Sequence, residues 1–241
     1  DGKLRMMYAD GSYEEFAPKD YADYIGEHVE PWTYLKFPYA KKKGGFALED
    51  NAPSLYRVNS LARINVCDYI PTPLAQKELE EFRKNFGRPA QLTLLYHWAR
   101  LIELLYNAEM AVQLLNDPQI TGRETRLKVT PRAARGVGVV EAPRGTLIHD
   151  YTTDADGMLT HVNLLVATCQ NNSAINLSVK QAAKMLIKGG KYDQGTLNMV
   201  EMAIRAYDPC LSCATHRLDG TLPVKVDIIG ADGKLIETLT N

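Results

Sequence analysis

The stretch Ala90–Asn116, AQLTLLYHWARLIELLYNAEMAVQLLN, decides the fold class. Its large apolar residues recur every three or four positions, which is the spacing of one face of an α-helix. These residues are Leu94, Trp98, Leu101, Leu105, Ala108, Val112 and Leu115. Apolar residues also occupy the other faces, so we expect this helix to be central and buried. The helix ends at Asp117 and Pro118, because proline cannot continue helical hydrogen bonding.

Weaker helical and strand patterns lie on both sides of this stretch. Further helices are predicted at about Pro73–Phe86 (with Thr72 as the N-cap), Ser173–Lys188 (closed by Gly189–Gly190) and Thr196–Ala206. β-Prone runs predict a hairpin from Leu4–Tyr8 and Tyr13–Phe16, paired strands between about Val137 and Val166, and a hairpin around Ala231–Gly233. The segment Glu27–Tyr39 is aromatic, contains two prolines and is predicted to be irregular. The fold class is therefore mainly α with small β segments (α+β), arranged as a helical bundle around Ala90–Asn116.

Composition excludes several classes of function. The chain has 241 residues, enough for one large domain or two small ones, and a formal net charge of −1. A charge so near zero gives no basis for binding nucleic acid or an anionic membrane. No apolar run approaches the roughly 20 residues of a membrane-spanning helix. Four cysteines are too few for a disulfide scaffold, so a reducing cytoplasm is the expected location.

Two of these cysteines lie together in AYDPCLSCATHRLDG, Ala206–Gly220. Cys210 and Cys213 are three positions apart, a spacing that brings both sulfurs towards one metal ion, and His216 follows three positions later. Asp208 and Pro209 precede the pair, and the proline ends the helix. From these residues alone, half of a zinc site, a redox-active pair, a transition-metal site completed elsewhere and two buried cysteines without a role all remain open.

The other two cysteines are isolated. Cys67 and Cys169 have no partner at ligand spacing, so we expect them to be buried hydrophobic residues.

The motif DPCLSCATH resembles the C-terminal signature of the large subunit of [NiFe] hydrogenases. The segments EHVEPWTYLKFPY, ARINVCDYIPTPLAQ, LLYHWARLIELL, GVGVVEAPRGTLIHDY and NNSAINLSVKQAAK resemble the cytosolic branch of that family, which includes NAD-coupled and methyl-viologen-reducing enzymes. The resemblance extends from about Leu4 to His216, and DPCLSCATH together with EAPRGTLIH is highly specific. It implies the helical fold of that large chain, which also suits the predicted elements.

The resemblance implies two metal sites. Cys210 matches the terminal nickel thiolate, and Cys213 matches a thiolate that bridges nickel to an iron carrying CO and cyanide. His216 matches the imidazole ligand of a separate magnesium site, to which the backbone carbonyl of Leu164 also belongs. Iron–sulfur clusters are expected only in a partner subunit, because this chain has too few cysteines to hold one.

The resemblance also implies roles for four residues around the nickel. Arg144 matches the arginine above the open metal position, and Asp208 matches the acid that pairs with it. Pro143 matches a residue that lines the cyanide pocket, and Thr168 matches the hydroxyl that donates to a cyanide. Without the family, Arg144 would be interpreted as an ion-paired arginine at a strand start and Thr168 as an ordinary hydroxyl at a strand end.

The implied function is the reversible heterolytic oxidation of H2 to protons and electrons, with the electrons passed to an iron–sulfur small subunit. The further partners that we expect are a diaphorase or another electron-acceptor subunit, together with a maturation protease and metal chaperones. No glycine-rich dinucleotide loop is present, so NAD would bind on another subunit.

The sequence departs from the family pattern in two places. The family's N-terminal cysteine pair is absent, so we expect a preceding piece to be missing and the chain alone to be inactive. Residues 1–216 would form the C-terminal portion of the catalytic domain, and residues 217–241 an extension removed on maturation. The alternative function is a scaffold subunit, similar to that of respiratory complex I, which has lost its metal site. A third possibility is a maturation intermediate bound by accessory proteins.

Overall fold

The computed structural model describes residues 2–211, 225–230 and 232–240. Within them, α-helices alternate with small antiparallel sheets. The helices are α1 (Tyr21–Tyr24), α2 (Ser60–Val66), α3 (Pro73–Phe86), α4 (Leu95–Leu115), α5 (Ala167–Gln170), α6 (Asn172–Leu186) and α7 (Gln194–Arg205). The strands are β1 (Leu4–Met7), β2 (Tyr13–Phe16), β3 (Ile25–His28), β4 (Phe37–Ala40), β5 (Ala134–Ala142), β6 (Gly145–Thr153), β7 (Leu159–Leu165), β8 (Lys225–Ile229) and β9 (Leu235–Thr240).

Helix α3 has the predicted bounds. Pro73 occupies its first turn, where a missing N–H costs nothing, and Gly87 closes it with φ of 73°. Thr72 is the N-cap residue, but its side chain makes no capping hydrogen bond. The carboxylate of Glu109, from α4, accepts instead from the backbone N–H groups of Leu74 and Ala75, each at 3.0 Å. Helix α4 thus caps the N-terminus of α3, the helix before it.

Helix α4 corrects the prediction that Ala90–Asn116 is buried throughout. Its buried residues, Tyr96, Ala99 and Ile102, all lie in the first half and join a core with α2 and α3. Four members of the predicted apolar stripe are instead more than half exposed: Leu94, Leu101, Val112 and Leu115. The reason is that apolar periodicity predicts a helix and not the surface that covers it. The helical bundle therefore stays a prediction.

The predicted paired strands are confirmed as the sheet β5–β6–β7. Ala142 pairs with Gly145 at the end of β5 and β6, so Pro143 and Arg144 form a two-residue hairpin turn. Strand β7 leads directly into α5 and then α6. This sheet consequently places the turn before β6 and the start of α5 at the same end, since β6 and β7 are antiparallel and Ile148 pairs with Leu165.

The other hairpins divide into predicted and missed ones. The pairs β1–β2 and β8–β9 confirm the predicted terminal hairpins. The pair β3–β4 corrects the prediction that Glu27–Tyr39 is irregular, since His28 pairs with Phe37. Pro38 lies in β4, which has only one neighbouring strand, an edge position that tolerates proline.

Helices α6 and α7 begin and end within two residues of their predicted bounds. α6 ends at Leu186 because Ile187 is already extended, and Gly189 and Gly190 form the next turn with positive φ. α7 begins earlier than predicted, since Asp193 accepts the N–H of Thr196 as its N-cap. In the part of the chain that the structure describes, no helix is long and apolar enough to cross a membrane.

Two hydrophobic clusters form the core. The larger joins α2, α3 and the first half of α4 to Ala206 and Tyr207, which follow α7. The smaller joins Phe16, Tyr21 and Ile25 to residues of β6 and β7. The segment before α2 lies between them: Tyr56 packs on the smaller cluster, and Val58 binds α4 through its carbonyl, which accepts from Tyr96 Oη at 3.0 Å.

Candidate metal centre

The chain that leads into the cysteine motif is anchored through its backbone. Ala206 and Tyr207 are buried, and their carbonyl oxygens accept hydrogen bonds from Arg100 at 2.9 Å and from Asn59 Nδ2 at 2.7 Å. The Tyr207 ring packs against that of Tyr96, with centroids 4.8 Å apart. The residues immediately before the motif are therefore held from both sides by α4 and by the segment before α2.

Asp208 and Arg144 meet next to this anchor. Arg144 Nε donates to the backbone carbonyl of Asp208 at 2.8 Å and lies 3.4 Å from its Oδ2. Asp208 has φ of 48°, a left-handed conformation that costs energy for a residue other than glycine. The two side chains are 41% and 46% exposed, so the pair faces an open region.

Thr168 contacts the motif at Cys210. It is almost completely buried at the start of α5, and its Oγ1 accepts the backbone N–H of Cys210 at 3.1 Å. A hydroxyl that accepts one hydrogen bond keeps its own O–H for donation. The structure thus brings together four of the predicted site residues, Arg144, Thr168, Asp208 and Cys210. Cys213 and His216 lie outside the described residues.

The turn that carries Arg144 is fixed by its neighbours. Gly145 has φ of 131°, and a Cβ there would clash with Val58 Cγ2 and lie 2.9 Å from the backbone nitrogen of Asn59. Only glycine lets this turn approach the segment before α2 so closely. Pro143 is exposed, and its carbonyl oxygen accepts from Arg63 at 2.9 Å.

Arg63, on α2, binds the hairpin turn and α4 together. Its guanidinium donates to both carboxylate oxygens of Glu103, to Glu141 at 3.0 Å and to the carbonyl of Ala142 at 2.8 Å, besides that of Pro143. Partial burial lowers the pKa of Arg63, but the two glutamates outweigh burial and raise it overall. This side chain therefore stays charged and holds the turn.

Leu164 lies in β7, opposite His149, next to a polar cluster. Lys36 Nζ donates to Glu27 Oε1 at 2.9 Å and to Asn163 Oδ1 at 3.3 Å, and Asn163 Nδ2 donates to Glu27 Oε2 at 2.8 Å. Across residues 2–211, 225–230 and 232–240, no three His, Cys, Asp or Glu side chains converge as metal ligands would.

Cys67 and Cys169 are less buried than predicted. Both are only partly buried, and burial is the main cause that raises the pKa of each thiol. Arg83 donates to Cys67 Sγ at 3.6 Å and opposes that shift. Thiols with raised pKa values are protonated at neutral pH, which makes them poor metal ligands.

Three residues of this region were missed in the sequence, namely Asn59, Arg63 and Arg100. Each binds a backbone carbonyl that lies between 79 and 148 positions away along the chain. A bond to a distant main-chain atom leaves no periodicity, spacing or motif, so no sequence signal could have found them.

The chain is similar to known hydrogenase components. The sequence profile of a family described as nickel-dependent hydrogenase matches residues 57–216. One component of the F420-non-reducing hydrogenase vhc of Methanococcus voltae is 47% identical over 99% of this chain and 50% of that relative. The beta subunit of the NAD-reducing hydrogenase HoxS of Cupriavidus necator is 45% identical over 98% of this chain and 48% of that relative.

A solved structure has the same fold. The crystal structure of an NAD+-reducing [NiFe]-hydrogenase in the H2-reduced state matches with a TM-score of 0.80 and 42% identity, covering 90% of this chain and 47% of that chain. The chain thus has the α+β fold of a [NiFe] hydrogenase large subunit. It spans about half the length of the curated relatives it matches. Since the family profile covers well over half of the 241 residues, the chain belongs to the nickel-dependent hydrogenase family.

Proposed function

We propose that this chain is the C-terminal part of a [NiFe] hydrogenase large subunit, and that the assembled protein oxidises H2 reversibly to protons and electrons. The observation that carries the proposal is that Cys210, Thr168, Arg144 and Asp208 lie together: Thr168 binds the N–H of Cys210, and Arg144 binds Asp208 two residues earlier. A cysteine sulfur, a buried hydroxyl, a guanidinium and a carboxylate come there from three stretches of a chain that belongs to this family, since Asp208 and Cys210 are two positions apart.

The donor set fits nickel and iron, the metals that the family description and the similar crystal structure support. Cys210 offers a thiolate, which soft and borderline metals prefer. In the proposal Cys210 would be a terminal ligand of nickel and Cys213 a ligand of both nickel and an iron carrying CO and cyanide, while two further thiolates would come from the rest of the large subunit. When bound, the metals would supply Lewis acidity towards H2.

Arg144 and Asp208 act on the open side of this site. A guanidinium keeps its charge at any working pH and accepts no proton, so Arg144 orients and polarises rather than serving as a base. Asp208 holds Arg144 Nε in place. The proton released from H2 then needs a different acceptor; because the carboxylate of Asp208 is paired with Arg144, the proposal assigns this role to the thiolate of Cys210 in the assembled protein.

Pro143 and Thr168 would surround the iron ligands. Thr168 gives its lone pair to the Cys210 N–H and retains its O–H, which can donate to a cyanide. Pro143 has no N–H of its own and lies beside Arg144 in the turn, where it would line the same pocket.

A magnesium ion at a separate site is part of the proposal. Its ligands would include the backbone carbonyl of Leu164 and the imidazole of His216. The cluster of Glu27, Lys36 and Asn163 beside Leu164 supports it, because a magnesium ion keeps several waters that need polar partners.

The electrons released from H2 must pass to partner subunits. We propose an iron–sulfur small subunit, a diaphorase or other acceptor subunit, and, during maturation, metal chaperones and a protease that removes residues 217–241 from residues 1–216. The NAD-reducing relative supports an assembly of several subunits. The remainder of the large subunit would cover the exposed apolar half of α4 and complete a helical bundle. The sparse cysteines support a cytoplasmic location.

The experiment compares Cys210→Ser with Cys67→Ser in the full-length protein, purified with its partner subunits. We expect Cys210→Ser to lose nickel and all H2 oxidation, because serine is a poor ligand for nickel. Cys67→Ser should keep both, since the bonds of the Cys67 thiol go to Arg83 and to the carbonyl of Ile64 rather than to the motif. Nickel is measured by elemental analysis and activity by H2-dependent dye reduction.

Two results would overturn the proposal. Wild-type nickel and activity in Cys210→Ser would remove Cys210 from the metal site. A wild-type assembly with neither nickel nor H2 oxidation would favour the scaffold subunit instead.

A further inference from the structure

Helix α2 connects both halves of the Arg144–Asp208 pair. Asn59, its N-cap residue, and Arg63 are four positions apart, about one helical turn. Asn59 donates to the carbonyl of Tyr207, which immediately precedes Asp208, and Arg63 donates to the carbonyl of Pro143, which immediately precedes Arg144. We propose that Asn59 and Arg63 are positioning residues, which set the geometry of the Arg144–Asp208 pair through the main chain of its two neighbours.

The buried side chain of Asn59 holds the backbone carbonyl of Tyr207. Its side chain is 1% exposed, Oδ1 accepts from Ser60 N at 2.6 Å, and Nδ2 donates to Tyr207 O at 2.7 Å. Its φ of 91° is rare for a residue other than glycine. Such a conformation persists only where the surroundings determine it, and it often accompanies a functional constraint. Asp208, one residue beyond the anchored carbonyl, has a positive φ as well.

The guanidinium of Arg63 holds the turn that carries Arg144 through backbone carbonyls. Its side chain is 21% exposed and is paired with the carboxylate of Glu103 on α4. The same guanidinium donates to the carbonyls of Ala142 and Pro143. Only arginine has enough donors in one rigid plane to bind a carboxylate and two carbonyls together. The turn is therefore fixed relative to α4 and α2.

The Arg144–Asp208 pair needs this support. Its side chains are 41% and 46% exposed, and an ion pair that faces water gains little from its own attraction, so the pair's geometry also depends on where its main chain is held. The close approach of Gly145 to the backbone of Asn59 adds a contact that brings the turn and α2 together. The separation of Arg144 and Asp208 is thus set by the buried bond of Asn59 and by the more exposed bonds of Arg63 to the turn.

Asn65, on the same helix α2, and Arg5, in β1, are matched controls for Asn59 and Arg63. Asn65 is buried like Asn59, donates from Nδ2 to a distant carbonyl, that of Ala90, at 2.9 Å, and accepts a backbone N–H through Oδ1. Arg5 has a side chain 20% exposed, and it binds the carbonyl of Val66 and two carboxylates. Neither control contacts the turn or the cysteine motif through these bonds.

The inference rests on the proposed function for the role of the pair, so the test has one readout that is independent of activity. Asn59→Asp keeps the acceptor for Ser60 N but loses the donor to Tyr207 O, and Asn65→Asp makes the same change towards Ala90. Backbone amide exchange of the peptide that ends at Cys210 is followed by mass spectrometry in the full assembly. We expect exchange to be roughly tenfold faster in Asn59→Asp, because a buried carbonyl loses its partner, and unchanged in Asn65→Asp.

The second readout is H2 oxidation at equal nickel content. We expect kcat to fall by about tenfold or more in Asn59→Asp and in Arg63→Lys, since small misplacements of acting groups have large effects. Asn65→Asp and Arg5→Lys should stay within about twofold, the range of a surface or remote change. Nickel content should equal that of the wild type in all four variants.

Two results would overturn the inference. One is equal exchange in the Asn59 and Asn65 variants, and the other is an equal loss of kcat in each variant and its control. If exchange rises as expected while even the wild type with bound nickel oxidises no H2, the anchoring by Asn59 stands and the proposed function fails.

Discussion

The region around α2 and the outer half of α4 differ in what fixes their positions. At α2, charged and half-exposed side chains such as Arg144 and Asp208 are placed by hydrogen bonds to the carbonyls of the residues that precede them. In the outer half of α4, strongly apolar residues such as Val112 and Leu115 are exposed and contact little of the described chain. The difference shows that a polar sequence can form a firmly held site, and that an apolar sequence need not be buried in a core. In both regions, how firmly a segment is held depends on the residues that cover it or bond to it.

The largest expected effect comes from breaking the contact between the turn and α2. Gly145→Ala would place a Cβ against Val58 and 2.9 Å from Asn59 N, at a φ of 131°. We expect the free energy of unfolding to fall by about 3 kcal/mol or more, from strain and overlap together. The measurement is denaturant unfolding of the assembled protein.

Gly136→Ala, in β5 of the same hairpin, is the matched control for that change. A Cβ at Gly136 has no neighbouring atom within 4 Å. We expect the free energy of unfolding to change by less than about 1 kcal/mol. Equal losses in both variants would contradict the close packing of the turn on α2.

The second prediction concerns α4. If the rest of the large subunit covers its outer half, Leu115→Asp buries a carboxylate and should lower the stability of the assembly by several kcal/mol. Leu127, which is 88% exposed and follows α4, is the control, and Leu127→Asp should stay within about 0.5 kcal/mol of the wild type. Size-exclusion chromatography and thermal unfolding measure both. Neutral behaviour of Leu115→Asp would show that α4 faces water and would contradict the bundle.

The smallest expected effect is the cap between α4 and α3. Desolvation raises the pKa of Glu109, but the N–H groups of Leu74 and Ala75 outweigh it and lower the pKa below its ordinary value of 4.5. The carboxylate therefore stabilises the fold above that value, and its contribution is lost as the pH falls through the lower folded-state pKa.

Glu109→Gln should accordingly lower the unfolding temperature slightly at neutral pH, and the difference from the wild type should shrink in acid. Glu80→Gln, on α3, is a useful control because Glu80 accepts from the side chain of Gln76 and, among the described residues, caps no helix. A difference between the wild type and Glu109→Gln that grows towards low pH would contradict the sign of the pKa shift.

Local signals explain what could be predicted from the sequence. Helix α3 is predicted to the residue because Pro73 starts it and Gly87 ends it. The hairpins β1–β2 and β8–β9 are predicted from their turns. The candidate residues Arg144, Thr168, Asp208 and Cys210 are found because two specific motifs resemble a known family.

Short elements and long-range contacts explain what was missed. The hairpin β3–β4 was not predicted, since its strands are short and one contains Pro38. α2 has only seven residues and too few turns for a periodicity to appear. Asn59 and Arg63 owe their importance to carbonyls that are distant in the sequence. The exposure of α4 is not visible in its apolar periodicity, which predicts a helix but not the surface that would cover it.

The central claim is that Cys210 binds nickel beside the Arg144–Asp208 pair. X-ray absorption at the nickel edge of the full assembly tests it most directly, because the number of sulfur ligands can be compared between the wild type and Cys210→Ser. We predict sulfur ligation in the wild type, and in Cys210→Ser either one sulfur ligand fewer or no bound nickel. Bound nickel with an unchanged number of sulfur ligands in Cys210→Ser would contradict the claim.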